Sequence, residues 1–143
     1  PGTIFMSATE SEPTEDDINK FQTDIDDNVI AIERVRTADG EPVVYCIDKV
    51  PAKYLPKQFL ENEDLSLFSA LEKSGNIRIA YAVTYIDTVG YHETVSPILK
   101  CGPEKALLVL KQLHYDDNDQ LVLYSKNYFR ADKFSFHVVR KRV

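Results

Sequence analysis

The stretch "VIAIERVRTADGEPVVYCIDKV", residues 29–50, constrains the fold more than any other part of this chain. Two runs rich in β-branched residues flank Asp39-Gly40, a dipeptide that favours the positive φ angles of tight hairpin turns. The sequence therefore predicts an antiparallel β-hairpin here. Sequential hairpins build antiparallel sheets, so we expect the rest of the fold to grow outward from this one.

Further strands and short helices are predicted on both sides of the hairpin. Thr14 with Asp17 three positions later predicts a capped helix over about residues 13–22. Ser66 predicts the cap of a second helix, which ends near Gly75. The β-rich runs 76–91, 106–115, 120–130 and 133–139 predict four more strands. The expected class is α+β, with about six mostly antiparallel strands and short helices against one face of the sheet.

Length and composition favour a single domain. A chain of 143 residues with 43% hydrophobic and 28% charged residues is long enough for one packed core. We expect residues 1–24, an N-terminal segment with a short acidic helix, to belong to the same domain as residues 25–143. Because the sequence starts at Pro1 without a methionine, we expect it to be part of a longer one.

The expected location of the protein rests on three features that the sequence lacks. No secretory signal opens the chain, and its longest apolar run, residues 106–110, is far below the ~20 residues of a membrane span. Two cysteines, Cys46 and Cys101, are too few for a disulfide framework. We therefore expect a cytoplasmic protein without membrane contact.

The basic and aromatic stretch "NYFRADKFSFHVVRKR", residues 127–142, raises the question of nucleic-acid binding. A net charge of −6 argues against nonspecific affinity for phosphates. Phe134, Phe136 and Val138 alternate with more polar positions, a pattern typical of a strand on a core. We therefore predict that this stretch closes the sheet and does not contact nucleic acid.

Motifs for enzyme chemistry are missing from the sequence. The five glycines form no phosphate loop or dinucleotide fingerprint, and the three histidines and two cysteines have no zinc-site spacing. We expect no metal, no cofactor and no catalytic residue. A nucleophilic cysteine with a distant histidine stays open, although a buried cysteine acting as a small hydrophobe is favoured.

Two arginines and a serine are candidates for holding an anion. Arg34 and Arg36 are two residues apart on a predicted strand and so share a face, where a common anion relieves their mutual repulsion. Ser66 opens a predicted helix, whose free N–H groups favour anions. The alternatives are a solvated pair of arginines and an ordinary helix cap.

In chain order, "ERVRTADGEPVVYCIDKVPAKYLP", "DLSLFSALEKSG" and "YSKNYFRADKFSFHVVRKR" resemble the UTRA effector-binding domain of the HutC branch of GntR-type bacterial transcription regulators. The resemblance covers about residues 25–142. It implies a chorismate-lyase-like sheet flanked by helices, a homodimer and a small-molecule pocket. It also implies an N-terminal winged helix-turn-helix domain, absent from this sequence, that binds operator DNA.

The resemblance also implies site residues. In sugar-phosphate-responsive members, positions matching Arg34, Arg36 and Ser66 hold the anionic group, and Phe68 stands where a tyrosine is more usual. Two glutamates that bind sugar hydroxyls in such members fall on Cys46 and Leu123. We therefore expect a small anionic organic effector with an apolar or aromatic body. The further candidates for the pocket wall are Tyr45, Arg78, Tyr81, Tyr124 and Tyr128.

The sequence thus predicts an effector-binding and dimerisation domain of a transcriptional regulator, acting on operator DNA only through the missing domain. No chemistry on the effector is expected. Two alternatives stay open: a chorismate-lyase-like enzyme acting on a small aromatic acid, and a dimerisation module without a ligand.

Overall fold

One antiparallel sheet of six strands organises the computed structural model, which describes residues 2–61, 66–73 and 75–142. The strands are β1 (Gly2–Ser11), β2 (Val29–Ala38), β3 (Glu41–Pro51), β4 (Ile79–Val89), β5 (Leu107–Asp116) and β6 (Leu121–Arg130). Their order across the sheet is β1-β2-β3-β6-β5-β4, and every neighbouring pair is antiparallel. The predicted class and the mostly antiparallel pairing are confirmed.

The predicted hairpin is the β2–β3 pair. Arg34 lies opposite Cys46, and the turn residues Asp39 and Gly40 have φ angles of 53° and 80°. Both angles lie in the left-handed region, which glycine and aspartate tolerate better than most residues. The local sequence therefore sets the turn, and the turn sets which β2 and β3 side chains face each other.

The helices are short. They are α1 (Glu15–Phe21), α2 (Leu67–Lys73) and α3 (Val95–Ile98), with single 3-10 turns at Ala52–Tyr54 and Phe59–Glu61. The predicted cap of α1 is confirmed: the Asp17 amide donates to Thr14 Oγ1 and the Thr14 amide donates to the Asp17 carboxylate. Asp17 is buried, and Lys49 Nζ of β3 lies 3.1 Å from its Oδ1.

Helices cover both faces of the sheet. We call the face that carries Arg34, Cys46 and Asp48 the front face and the face that carries Tyr45 and Tyr128 the back face. The buried residues of α2 pack on front-face core residues, whereas α1 and α3 contribute to core clusters on the back. The expectation of helices against one face was wrong because the central strands β2, β3 and β6 carry apolar side chains on both faces.

The two ends of the chain differ from the prediction. β1 was not predicted, yet it pairs with β2 over nearly its whole length. The predicted strand over 133–139 is wrong for the single chain, since residues 134–142 form no strand. Phe134 and Phe136 instead pack edge-to-face on Phe129, with ring centroids 5.2 and 4.9 Å away.

Within residues 2–61, 66–73 and 75–142, no helix is long and apolar enough to cross a membrane.

Candidate functional site

The two hairpin arginines line a cavity on the front face. Arg34 and Arg36 project from β2 beside Cys46 and Val44 of β3. Arg34 is partly buried and Arg36 is exposed. They line what we call the inner cavity, of about 220 Å³, between the sheet and the start of α2. Its lining residues are Arg34, Arg36, Cys46, Asp48, Ser66, Leu67, Phe68, Gln112, His114, Ser125 and Asn127.

Helix α2 closes one side of the inner cavity. Its buried residues Leu67 and Leu71 are 4% and 0% exposed, so burial of apolar surface fixes the helix on the sheet. Ser66 precedes the helix, and its Oγ accepts a long bond of 3.5 Å from the Ser69 amide. Phe68 turns outward and meets the His114 ring edge-to-face at 5.6 Å. The helix thereby places a hydroxyl and an aromatic ring beside the two arginines.

A band of polar side chains crosses the floor of the inner cavity on strands β3, β6 and β5. Ser125 Oγ donates to Asp48 Oδ1 at 2.6 Å. Asn127 Nδ2 donates to Gln112 Oε1 at 3.5 Å, and the register places these two side chains on the same face. The floor therefore offers hydrogen-bond donors and acceptors to anything bound against it.

His114 completes this band at the end nearest Phe68. Burial lowers the pKa of its imidazole below 6.5, and the neighbouring Asp48 carboxylate only partly opposes that shift. His114 is therefore neutral at neutral pH, able to donate from one ring nitrogen and accept at the other. The positive charge of the inner cavity comes from the arginines.

The inner cavity is consequently polarised. Two guanidinium groups lie at the β2 side, and the Asp48 carboxylate lies on the floor. Within the described part of the chain neither Arg34 nor Arg36 forms an ion pair. An anion is favoured beside the arginines, while a group that donates hydrogen bonds is favoured beside Asp48.

A larger, more open cavity adjoins the inner one. This outer cavity, of about 730 Å³, shares Arg36, Cys46, Gln112 and Asn127 with it. Val43, Val44, Phe129 and Phe134 give the outer cavity its apolar wall, and Gly2 and Thr3 of β1 lie at its border. A bound molecule could therefore extend from the arginines onto an apolar surface.

Cys46 stands where the two cavities meet. Burial raises the pKa of its thiol, although Arg36 and Arg34 act in the opposite direction. A neutral buried thiol is a poor nucleophile, so Cys46 contributes a small apolar contact. Among the residues that the structure describes, no cluster of histidine, cysteine and acidic side chains could hold a metal ion.

The structure does not bring all the candidate residues together. The back face carries Tyr45, Tyr124 and Tyr128. Burial, reinforced by Glu33, raises the pKa of Tyr45 to about 12. Leu123 shares the front face but is fully buried in the core.

The two remaining candidates lie outside the site. Arg78 lines a separate cavity with Glu72, Asn76 and Ile77. Tyr81 is exposed on β4, and its hydroxyl donates to Asp119 Oδ1 at 2.7 Å. Only Arg34, Arg36, Cys46, Ser66 and Phe68 of the expected residues line the inner cavity.

Besides Leu67, five polar lining residues were not foreseen as site residues from the sequence: Asp48, Gln112, His114, Ser125 and Asn127. Strand alternation supplies a signal for one of them, because Asp48 follows Cys46 by two positions and so shares its face. The other four needed the pairing of β5 and β6 with β3. Their polarity changes the expected lining from apolar to mixed.

Comparison with known proteins shows the family to which this chain belongs. The family model of the UTRA domain matches residues 1–135. The chain belongs to the UTRA domain family. This UTRA domain is 26% identical over 118 residues to the HTH-type transcriptional repressor PhnF of Mycolicibacterium smegmatis, covering 81% of this chain and 48% of that protein. The chain thus spans about half the length of the curated relative it matches.

Solved structures share the fold. The effector domain of PhnF from Mycobacterium smegmatis superposes with a TM-score of 0.87 at 24% identity, covering 99% of this chain and 87% of that one. A GntR-family transcriptional regulator from Enterococcus faecalis V583 gives a TM-score of 0.86 at 20% identity, covering 97% of this chain and 100% of that one. The six-stranded sheet is therefore that of GntR-family regulator domains.

Proposed function

We propose that this UTRA domain binds a small-molecule effector and dimerises within a cytoplasmic bacterial transcriptional regulator of the GntR type, HutC branch. The family match and the likeness to a transcriptional repressor support this proposal. The observation that carries it is the convergence of Arg34, Arg36 and Ser66 on one front-face cavity.

The effector is a small organic anion. Its anionic group lies between the guanidinium groups of Arg34 and Arg36, with the Ser66 hydroxyl as a further partner. Because Asp48 would repel a second anion, the adjoining part of the effector carries hydroxyl or amine donors. Any apolar part extends into the outer cavity toward Phe129 and Phe134.

Regulation works through two dimer arrangements. Operator DNA is bound by an N-terminal winged helix-turn-helix domain outside this sequence. The effector shifts the population between operator-competent and incompetent dimers, and it does so only by its different affinity for the two. The domain performs no chemistry on the effector.

A thermal-shift screen of small anionic metabolites tests the proposal. A ligand at 100 times its Kd should stabilise the domain by ~2.7 kcal/mol, which is readily detected. The double variant Arg34→Ala/Arg36→Ala should lose that shift, whereas the matched control Arg78→Ala, which alters an arginine by a different cavity, should keep it.

Two outcomes would contradict the proposal. The absence of a shift across a broad panel would favour a dimerisation module without a ligand. Conversion of chorismate or another aromatic acid to product, lost in Arg34→Ala, would favour the enzyme.

A further inference from the structure

The inner cavity has two ends of opposite chemistry. One end carries the guanidinium groups of Arg34 and Arg36, which are positively charged and only donate hydrogen bonds. The other end lies over Asp48, which follows Cys46 by two positions on the front side of β3. Side chains two residues apart on a strand are ~7 Å apart along it. A ligand that fills the cavity therefore meets positive charge at one end and negative charge at the other.

The Asp48 carboxylate uses only part of its hydrogen-bonding capacity within the protein. It is partly buried, and Ser125 Oγ donates to its Oδ1 at 2.6 Å. Among the residues that the structure describes, none donates a hydrogen bond to its Oδ2 and none forms an ion pair with it. Removing a carboxylate from bulk water is costly unless a cation or a hydrogen-bond donor compensates for it. Asp48 therefore leaves a place for a cationic group of the ligand.

Two further acceptor oxygens lie beside Asp48 on the cavity floor. Ser125 lies opposite Asp48 on one side and opposite Gln112 on the other. Because the Ser125 hydroxyl donates its one proton to Asp48, its lone pairs are left to accept. Gln112 Nε2 donates to Thr84 Oγ1 of β4 at 3.3 Å, so its Oε1 points back toward β6, where it accepts only the long bond from Asn127. Three strands thus present a row of acceptors.

The protein places no cation of its own on this row. Burial lowers the pKa of the neighbouring His114 imidazole, which is therefore neutral at neutral pH. A lysine is adjacent in sequence to each of the three acceptors, but strand alternation turns all of these lysines to the back face. They are Lys49, Lys126 and Lys111, which line a different cavity there. The row of acceptors is left for a cation from outside the chain.

A primary ammonium group matches this row in charge and in number of donors. It has one positive charge, three N–H donors and no acceptor, as the lysine side chain does. A hydroxyl group has one donor and no charge. A hydrogen bond from a charged donor is roughly twice as strong as one between neutral groups. The floor of the inner cavity therefore favours an ammonium group over a hydroxyl group.

We propose that the effector is a zwitterion, with an ammonium group on the row of Asp48, Ser125 and Gln112 and its anionic group between Arg34 and Arg36. This inference rests on the proposed effector binding and narrows the effector from organic anions in general to those that carry an amine. Amino acids with a separated amine and aminoalkyl phosphates belong to this class. Sugar phosphates without an amine and purely apolar acids do not.

Matched pairs of ligands test the proposal by isothermal titration at neutral pH. The two members of a pair share the anionic group and the chain length, and they differ only in carrying an amine or a hydroxyl group. The pairs are aminoethyl and hydroxyethyl phosphate, aminopropyl and hydroxypropyl phosphate, and δ-aminovalerate and δ-hydroxyvalerate. The strongest ligand of the metabolite screen is compared with its own hydroxy analogue in the same way. In the pair that binds most tightly, the amino member should have a Kd at least about tenfold lower.

Variants of the floor assign this preference to its residues. Asp48→Asn keeps the shape of the side chain and removes its charge, so the amino ligand should bind at least about tenfold more weakly. The hydroxy ligand should bind as tightly as before or more tightly, because its anionic group no longer faces a carboxylate. Gln112→Leu should also weaken the amino ligand selectively. The matched control Asp87→Asn, at an aspartate of β4 on the back face, should change neither Kd.

The outcomes separate this inference from the proposed function. Equal Kd values within the pairs, or a strongest screen ligand that lacks an ammonium group, would overturn the zwitterion and leave the proposed effector binding intact. A preference for the amine that survives Asp48→Asn, or an equal loss of both ligands in that variant, would also overturn it. If no small anion binds at all, the proposed effector binding fails and this inference fails with it.

Discussion

Arg34 and Arg36 should contribute unequally to effector binding, although both line the inner cavity. Arg34 is partly buried, and a hydrogen bond to a charged group in such a place contributes about 1.5–3 kcal/mol. Arg36 is exposed, where solvent screening reduces an ionic contact to about 0.2–1 kcal/mol. Since ~1.4 kcal/mol is a tenfold change in affinity, Arg34→Ala should raise the Kd about 10- to 150-fold and Arg36→Ala less than about sixfold.

Isothermal titration with the strongest ligand from the metabolite screen measures both changes. The effect of Arg36→Ala should shrink further at high salt, whereas that of Arg34→Ala should persist. Arg78→Ala serves as the control and should bind as the wild type does. A Kd for Arg34→Ala within about twofold of wild type, in a variant with unchanged thermal stability, would refute the placement of the anion.

Three predictions concern stability and are read from urea denaturation. Burial acts to raise the pKa of Asp17, but hydrogen bonds from Thr14 and Lys49 outweigh it and hold the pKa below its ordinary value of 3.8. The contribution of the Asp17 carboxylate to stability is therefore fully present above pH 3.8 and declines as the pH falls through the lowered pKa. Asp17→Asn should cost about 1–3 kcal/mol at pH 7 and progressively less as the pH falls through that pKa; a cost that stays the same down to full protonation would contradict the ion pair. Gly75→Ala should lower the free energy of unfolding by about 1–3 kcal/mol, because the added Cβ would lie 2.5 Å from the backbone oxygen of Tyr54. The control Gly90→Ala, whose Cβ would have no atom within 4 Å, should leave the stability unchanged, and equal effects of the two variants would contradict this packing. Leu71→Ala, at a residue that is 0% exposed, should cost about 2–5 kcal/mol; a loss below ~1 kcal/mol would contradict its core position.

Local patterns predicted the elements that depend on local contacts. The Asp39-Gly40 turn fixes the β2–β3 hairpin, and Thr14 with Asp17 fixes the start of α1, each through neighbours in the sequence. β1 depends instead on pairing with β2 across an intervening helix, and nothing in its own sequence specifies that partner. The final strand was predicted from a real alternation, but a strand needs a partner, and residues 134–142 pair with no strand among the residues that the structure describes.

The site could be predicted only in part for the same reason. Arg34 and Arg36 share a face by alternation alone. Alternation also places the neighbours Tyr45 and Cys46 on opposite faces of β3, and of the two only Cys46 lines the inner cavity. Gln112 and Asn127 needed the register of β5 and β6, and a one-residue slip in register would turn each of them to the other face.

The position of the bound effector tests the central claim most directly. A crystal structure of the domain with a ligand from the screen should show its anionic group within hydrogen-bond distance of Arg34, Arg36 and Ser66, with the rest of the molecule over Asp48. A ligand bound on the back face, against Tyr45 and Tyr128, would contradict the account.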